Sequence, residues 1–214
     1  MISRQKLLRA AARVFGEHGF RGATTRRIAE QAGVNEVTLF RLFGSKSALI
    51  AEAVREYGPP SPQDTTLPDV PSRPLRELER YSDALLAHMR LNRGVIRKAM
   101  AELNEHPEMA GCMSEGRDCA FHELLRWTRR LERPGPAVSE AEARAAVAML
   151  LAALFADAMW RDVGRETYPQ PEARASRLYA TLFLRALNCL EPRRATRAAA
   201  TKNGARRPST RTRP

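Results

Sequence analysis

Residues 24–46 read TTRRIAEQAGVNEVTLFRLFGSK, and this stretch decides the fold. Thr24 and Asn35 are residue types that cap helix N-termini, because their side-chain oxygens accept a backbone N–H that lacks a partner within the helix. Gly33 is suited to ending the first helix, since glycine adopts a left-handed backbone without a clash. Apolar residues recur at helical spacing on both sides of it. The stretch predicts two short helices joined by a tight turn, which is the layout of a helix-turn-helix.

The second of these helices is short enough to lie in the major groove of DNA. On its outer face, Arg41 is suited to reading guanine or holding a phosphate, Glu36 to accepting a hydrogen bond from a cytosine amine, and Val37 to touching a thymine methyl. The first helix opens with Thr24, Thr25 and Arg26, where free N–H groups and the helix dipole favour a phosphate. Lys46, at the start of the following helix, is a second candidate phosphate ligand. The alternative for each of these side chains is an ordinary solvated surface position; the DNA contact is favoured for Thr25 and Lys46, and the surface position for Glu36, because phosphates repel acids.

Composition places this stretch in an all-α protein. The chain has 214 residues, 43% of them hydrophobic and 28% charged, as in globular proteins. Ala, Leu, Arg and Glu dominate, and no run of alternating β-branched residues suggests a strand.

The formal net charge of +12 is concentrated at the two ends of the chain. Residues 193–214 carry eight Arg or Lys residues and no acidic one, and residues 1–57 carry ten basic against five acidic residues. The middle of the chain is nearly neutral, so the pattern predicts a phosphate-binding N-terminal domain. The basic tail is expected to be disordered; it either only raises solubility or adds non-specific affinity for DNA.

Prolines mark one domain boundary. Residues 58–74 contain six of them, which predicts a linker over 58–73 between a DNA-binding domain at 1–57 and a helical domain at 74–192. A disordered basic tail would follow over 193–214.

Other classes of protein receive little support from the sequence. Three cysteines without a CxxC pair, and an N-terminus without an apolar signal core, favour the reducing cytoplasm. The longest apolar run, 145–160, is shorter than a bilayer span and contains Asp157, which predicts a buried helix and no membrane association. Glu115, Cys119 and His122 share one helical face, but lone Cys and His residues usually fill cores or surfaces, so no metal or cofactor is expected. No nucleophile elbow or phosphate loop indicates an enzyme, and no catalytic residue is nominated.

Over residues 3–55 the chain closely resembles the N-terminal domain of the TetR/AcrR family of one-component transcriptional regulators. The resemblance rests on Leu7-Leu8 with Ala11 and Phe15-x-x-x-Gly19, on Thr24-x-x-x-Ile28-Ala29-x-x-Ala32-Gly33-Val34, and on Thr38-Leu39-Phe40-x-x-Phe43-x-Ser45-Lys46-x-x-Leu49. It implies a homodimer, most often a repressor, whose third helices enter the major groove of palindromic operator DNA. The candidate DNA contacts are Thr24, Thr25, Arg26, Asn35, Glu36, Val37, Thr38, Phe40, Arg41 and Lys46.

Two positions depart from the family pattern. The family usually has Tyr where this chain has Phe40, and its hydroxyl contacts a phosphate. It often has His where this chain has Leu42. Neither residue here can make the corresponding hydrogen bond.

The resemblance also implies a C-terminal domain that binds a small effector, expected to be apolar or aromatic, and that dimerises through its last two helices. Small residues and leucines on those helices are suited to close helix packing between subunits. The candidate dimer contacts are Ala145, Ala148, Ala152, Ala156, Leu178, Leu182 and Phe183. The candidate effector-pocket residues are His88, Arg97, Met100, Met113, Phe121, Leu125, Trp127, Phe155 and Met159, although Met and aromatic residues at helical spacing are more often plain core.

Two other functions fit the same sequence. One is a DNA-binding factor without an effector, constitutive or architectural, which a closed and well-packed second domain would favour. The other is an enzyme or small-molecule carrier with a vestigial DNA-binding domain, whose DNA binding would be weak and lost in salt at every sequence.

Overall fold

The structure, a computed structural model, describes residues 2–59 and 66–190. Within these ranges the chain forms helices and no strand, which confirms the all-α prediction. The helices are α1 (Ile2–Gly22), α2 (Thr25–Ala32), α3 (Glu36–Phe43), α4 (Lys46–Tyr57), α5 (Pro74–Leu91), α6 (Arg93–Glu102), α7 (Glu108–Thr128), α8 (Glu140–Trp160) and α9 (Ala175–Ala186), with 3₁₀ turns at Arg165–Thr167 and Glu172–Arg174. Part of the predicted linker, 60–65, and the predicted tail, 193–214, lie outside the described residues.

Helices α1 to α4 form the N-terminal bundle. The apolar stripe of α1, with Leu7, Leu8 and Phe15, is almost fully buried, and α1 packs against α2, α4 and α6. The sequence predicts that this helix ends at Gly19. Gly19 has a non-helical backbone, with φ 70° and ψ −177°, so the first regular helix ends there as predicted, and a further helical turn follows the bend as far as Gly22. Glycine tolerates this positive φ because it has no Cβ.

The core of the N-terminal bundle continues into the second half of the chain. Val95 and Ala99 of α6, and Met109 and Cys112 of α7, belong to the same cluster of buried residues as α1 and α4. The DNA-binding bundle is therefore seated on α6 and α7. The boundary at 58–73 remains a prediction, and the packing crosses it.

A second core lies among α5, α7, α8 and α9. Tyr81, Leu124, Leu154 and Leu184 are its central residues, each at most 1% exposed. These apolar faces account for the close pairing of α5 with α9 and with α8.

Helix α8 is long and apolar enough, by length and composition, to cross a membrane, with a mean hydropathy of 1.5 over its best window. The prediction that this segment is too short to span a bilayer is wrong, because the helix has 21 residues and extends beyond the apolar run of 16. In this fold, however, one side of α8 packs into the C-terminal core through Val147, Leu150 and Leu154. Asp157 is buried in an ion-paired cluster, as expected of a core helix.

Candidate nucleic-acid interface

The helix-turn-helix forms where the sequence predicts it, and its capping residues accept the backbone hydrogen bonds expected of them. The Thr24 hydroxyl accepts from the N–H of Arg27 at 3.3 Å, and the Asn35 side chain accepts from the N–H of Val37 at 2.8 Å. Gly33 has φ 67° and ψ 37°, and its N–H donates to the carbonyl of Glu30 at 3.1 Å. Local sequence thus fixes both ends of the turn between α2 and α3.

Helix α3 presents a largely unoccupied outer face. Leu39 is fully buried and anchors the helix to the bundle. Val37 is 71% exposed, Phe40 47% and Leu42 37%, and Arg41 is also exposed. A helix of eight residues is about 12 Å long, which matches the width of the major groove.

The carboxylate of Glu36 is not free. It accepts a hydrogen bond from the hydroxyl of Thr25, which joins the start of α3 to the start of α2. Two residues that the sequence nominates as separate DNA contacts therefore form a pair. They are eleven positions apart, and no local pattern predicts their meeting.

Arg26 lies on the exposed surface of α2, where its guanidinium is paired with Glu30 at 2.9 Å. The two side chains are 83% and 65% exposed, so this pair contributes little to stability. Arg26 can therefore exchange Glu30 for a phosphate at small cost.

Lys46 has a structural partner that the sequence does not reveal. Its ammonium donates to the backbone carbonyl of Phe20 at 2.9 Å and lies 4.2 Å from the centroid of the Phe20 ring. Ser45 caps α4 by accepting from the N–H of Ala48 at 3.1 Å. Lys46 thus ties the start of α4 to the end of α1, and an ammonium carries three donors, so others remain for a phosphate.

The link between the two halves of the molecule was not predicted either. The N–H of Phe20, just after the bend in α1, donates to the carboxylate of Glu102 in α6 at 2.9 Å. His106 stacks against the Phe20 ring with 3.8 Å between ring centroids. Arg55 of α4 pairs with Glu115 of α7 at 2.8 Å. These partners are 60 to 86 residues apart in the chain, so periodicity gives no signal for them.

At the other end of α6, arginines bind the C-terminal part of α8. Arg93 donates to the carbonyl of Ala158 at 2.7 Å, and Arg97 donates to the carbonyl of Met159 and to Asp162. Helix α6 therefore touches both α1 and α8.

Asp157 forms the most deeply buried polar cluster among the described residues. Its carboxylate is fully buried and accepts from Arg90 at 2.8 Å, from the Nε of Arg161 at 2.7 Å, and from the Tyr179 hydroxyl at 3.0 Å. Burial favours the neutral acid, but the hydrogen bonds from Arg161, Arg90 and Tyr179 outweigh it and hold the pKa of Asp157 below its ordinary value. Burial and the neighbouring Asp157 carboxylate raise the pKa of Tyr179. The cluster joins α5, α8 and α9.

The residues nominated for an effector pocket have different surroundings in the structure. Leu125, Trp127 and Met159 are core residues, at most 3% exposed, whereas Met100 is 41% exposed. Arg97 is engaged with α8, as described, and His88 has its Nε2 atom 2.9 Å from the carbonyl oxygen of Gly58. Met113, Phe121 and Phe155 are half-buried at the edge of the C-terminal core.

A groove of about 600 Å³ runs beside α7 and has Trp127 in its wall. Leu67 and Arg126 also line it, and it includes none of the other eight nominated residues. Glu123 closes one side by accepting from the N–H of Leu67 at 2.9 Å and from the Tyr81 hydroxyl at 3.0 Å.

Five of the seven nominated dimer contacts are exposed on α8 or α9, and two are not. Ala145, Ala148 and Ala152 are exposed, Leu178 is 42% exposed and Leu182 is 61% exposed. Met149, which the sequence reasoning did not nominate, is 73% exposed on the same stretch of α8. Ala156 is partly buried, and Phe183 is only 5% exposed because it packs into the core of its own subunit.

No group of three or more metal-ligating side chains comes together within residues 2–59 and 66–190. Glu115, from the spacing Glu115, Cys119 and His122, is engaged by Arg55 instead.

Residues 7–53 match the family model described as bacterial regulatory proteins of the tetR family. The chain is 44% identical over 54 residues to the HTH-type transcriptional repressor AcnR of Corynebacterium efficiens, and equally so to that of Corynebacterium glutamicum. Each match covers 25% of this chain and 29% of the relative, so the likeness to these repressors is confined to the N-terminal domain.

Solved structures resemble the whole described fold. A transcriptional regulator from Rhodococcus sp. Rha1 superposes with a TM-score of 0.62 at 19% identity, covering 88% of this chain and 99% of that one. A TetR-like transcriptional regulator from Rhodococcus sp. RHA1 gives a TM-score of 0.58 at 20% identity, covering 86% and 95%. At these identities the likeness establishes the arrangement of helices.

Proposed function

We propose that this chain, a TetR-family transcriptional regulator by its N-terminal domain, acts as a homodimeric repressor that binds palindromic operator DNA through α3. The family is one of regulatory proteins and not of enzymes. The observation that carries the proposal is the outer face of α3, which stands exposed between the N-terminus of α2 and Lys46 within the matched domain. The name of the AcnR relatives supports repression.

In the proposed complex α3 lies in the major groove. Arg41 and Val37 read base edges, and Thr38 lies between them on the same helix. Thr24, Arg26 and Lys46 hold the phosphate backbone on either side, which fixes the position of α3 without reading sequence. Glu36 acts through Thr25, whose hydroxyl it binds, rather than on a base.

Dimerisation through α8 and α9 is supported by their exposed apolar residues. Leu178, Leu182 and Met149 are large apolar side chains that a monomer would leave in water. Alanines at 145, 148 and 152 allow a second helix to approach closely. A two-fold pair of these helices would form a four-helix interface and place two copies of α3 for half-sites about 34–36 Å apart.

Regulation by a small apolar or aromatic effector is the second part of the proposal. The groove beside α7 offers a site for it, with Leu67, Pro68 and Trp127 as apolar wall residues, and the rest of its lining is polar or charged, including Asp118, Glu123, Arg126 and Arg130. Helix α6 supplies a physical link, since it binds α8 through Arg97 and α1 through Glu102. An effector in this groove that shifts α7, and with it α8 packed against α7, would thereby change the spacing of the recognition helices.

One observation favours a DNA-binding factor without an effector. Leu125 and Met159 are packed in the C-terminal core, and Trp127 is the one nominated pocket residue that lines the groove beside α7. A thermal-shift screen against apolar and aromatic compounds distinguishes the two, because a ligand that binds the folded state raises Tm with its concentration.

Selection of genomic DNA fragments by the purified protein tests the function. The proposal predicts enrichment of a palindrome with half-sites one helical turn apart, bound by two chains. Arg41→Ala should relax preference at one position of each half-site and cost about 1–3 kcal/mol. Arg80→Ala, at an exposed position on α5, is the matched control and should leave binding unchanged. Enrichment of no sequence above random DNA would contradict the proposal.

A further inference from the structure

A basic groove lies on the side of the N-terminal bundle, between α1 and the last turn of α2. We refer to it as the α1 groove. Its volume is about 520 Å³, and its lining residues are Gln5, Lys6, Arg9, Ala10, Arg13, Gln31 and Ala32. The lining includes three cations, two amides and no carboxylate, so its charge is complementary to an anionic ligand.

The cations of the α1 groove are available to bind. Among the described residues, no carboxylate lies within ion-pair distance of Lys6 or Arg9, and both side chains are exposed. Arg13 is paired with Glu17 at 3.1 Å, but the two side chains are 65% and 53% exposed, so the pair is weak. Lys6, Arg9 and Arg13 recur at helical spacing and thus form one stripe along α1.

The stripe has the dimensions of a stretch of nucleic-acid backbone. From Lys6 to Arg13 the helix rises about 10.5 Å, which is long enough for cations at the two ends of the stripe to reach separate phosphates of one DNA strand. The amide of Gln31 adds a neutral donor of the kind that binds phosphate oxygens, whereas the amide of Gln5 donates to Glu56 at 3.4 Å and to Tyr57 at 3.2 Å.

The α1 groove also adjoins the recognition unit. Gln31 lies in the last turn of α2, two residues before the turn that leads into α3. At the N-terminal end of α1, the guanidinium of Arg4 lies 5.1 Å from the centroid of the ring of Phe43, the last residue of α3. The groove is therefore carried by the same rigid bundle that positions α3.

We propose that the α1 groove binds the sugar-phosphate backbone of DNA flanking the half-site that α3 reads. This inference rests on the proposed DNA binding and adds a second backbone contact to it.

The test is the salt dependence of binding to a long duplex, with the variant K6Q/R9Q/R13Q. The slope of log K against log salt is negative, and each lost phosphate contact reduces its magnitude by about 0.9. Loss of the contacts of Lys6 and Arg9, without counting Arg13, therefore predicts a reduction of about 2. The control R76Q/R80Q/R165Q removes the same charge from exposed positions of the C-terminal domain. The proposal predicts that this control keeps the wild-type slope and that both variants have the same Tm as the wild type.

Hydroxyl-radical footprints give an independent measurement. The groove variant should lose protection of backbone outside the half-site while keeping protection within it. An unchanged slope and footprint, with wild-type protein binding normally, would overturn the inference and leave the proposed function standing. Wild-type protein that binds no duplex would overturn the proposed function itself. Tighter binding of a poly-glutamate peptide than of the duplex to the groove would show an acidic protein partner and overturn the assignment to DNA.

Discussion

Replacing Asp157 by Asn should destabilise this protein severely, although the two side chains have nearly the same shape. The carboxylate is fully buried and is the common acceptor of Arg90, Arg161 and Tyr179. The amide removes the negative charge and leaves the guanidinium of Arg161, which is only 5% exposed, without its ion-pair partner. An uncompensated charge in the core is the main cost.

The expected loss is about 3–5 kcal/mol of unfolding free energy, the range for removing one partner of a buried ion pair. For a protein of this size each kcal/mol lowers Tm by about 2–4 °C, so the variant should melt about 6–20 °C below the wild type. Asp162→Asn is the matched control. Asp162 binds Arg97 at 2.6 Å and Arg93 at 3.0 Å, but its side chain is 41% exposed, so at most about 1 kcal/mol should be lost.

Thermal and urea unfolding followed by circular dichroism measure both variants, and pH gives a further check. The pKa of Asp157 in the folded protein lies below its ordinary value of 3.8. Its stabilisation is therefore complete above that ordinary value and is lost as the pH falls through the folded pKa. The difference in unfolding free energy between the wild type and Asp157→Asn should be constant near neutrality and decrease only in acid. A loss no larger than that of Asp162→Asn, or a gap that changes between pH 6 and 8, would refute the reasoning.

Other substitutions test the recognition unit and the dimer face. Phe40→Tyr should tighten operator binding about 2–10-fold by restoring a hydrogen bond to phosphate, and weaker binding at fixed salt would count against that view. Glu36→Gln should tighten DNA binding several-fold, because it removes an anion near the phosphates while keeping an acceptor for Thr25; unchanged affinity would show that Glu36 lies away from the backbone. Lys46→Met should lower the unfolding free energy by about 1–2 kcal/mol in a urea titration without DNA, because the hydrogen bond to the Phe20 carbonyl is lost. An unchanged urea midpoint would show that Lys46 does not stabilise the fold. Leu182→Asp should give a folded monomer in light scattering, because this side chain is 61% exposed in one subunit and the proposed dimer would bury it. An intact dimer would show that the interface does not include Leu182.

The sequence predicts the helix-turn-helix well because its determinants are local. Thr24, Asn35 and Ser45 each cap a helix with the side-chain hydrogen bond expected of them. Gly33 has the left-handed backbone that its position requires. Each of these features depends on residues within four positions of one another, so spacing alone reveals them.

The contacts that join distant segments could not be predicted in this way. Lys46 has the residue type of a phosphate ligand, and only the fold places the Phe20 carbonyl beside it. Helical periodicity assigns Phe183 equally well to either side of α9, and the structure places it in the core. Asp157 marks α8 as a core helix in the sequence, but its partners come from α5 and α9, which the one-dimensional pattern does not bring together.

The central claim is that two copies of α3 read a palindrome, and the direct measurement is the ratio of affinities for the selected operator and for a scrambled duplex of the same length at one salt concentration. The account predicts a ratio of about 10³ or more near physiological salt, with two chains bound per operator. A ratio near one, with affinity for both duplexes falling in parallel as salt rises, would show backbone attraction without recognition and would contradict it.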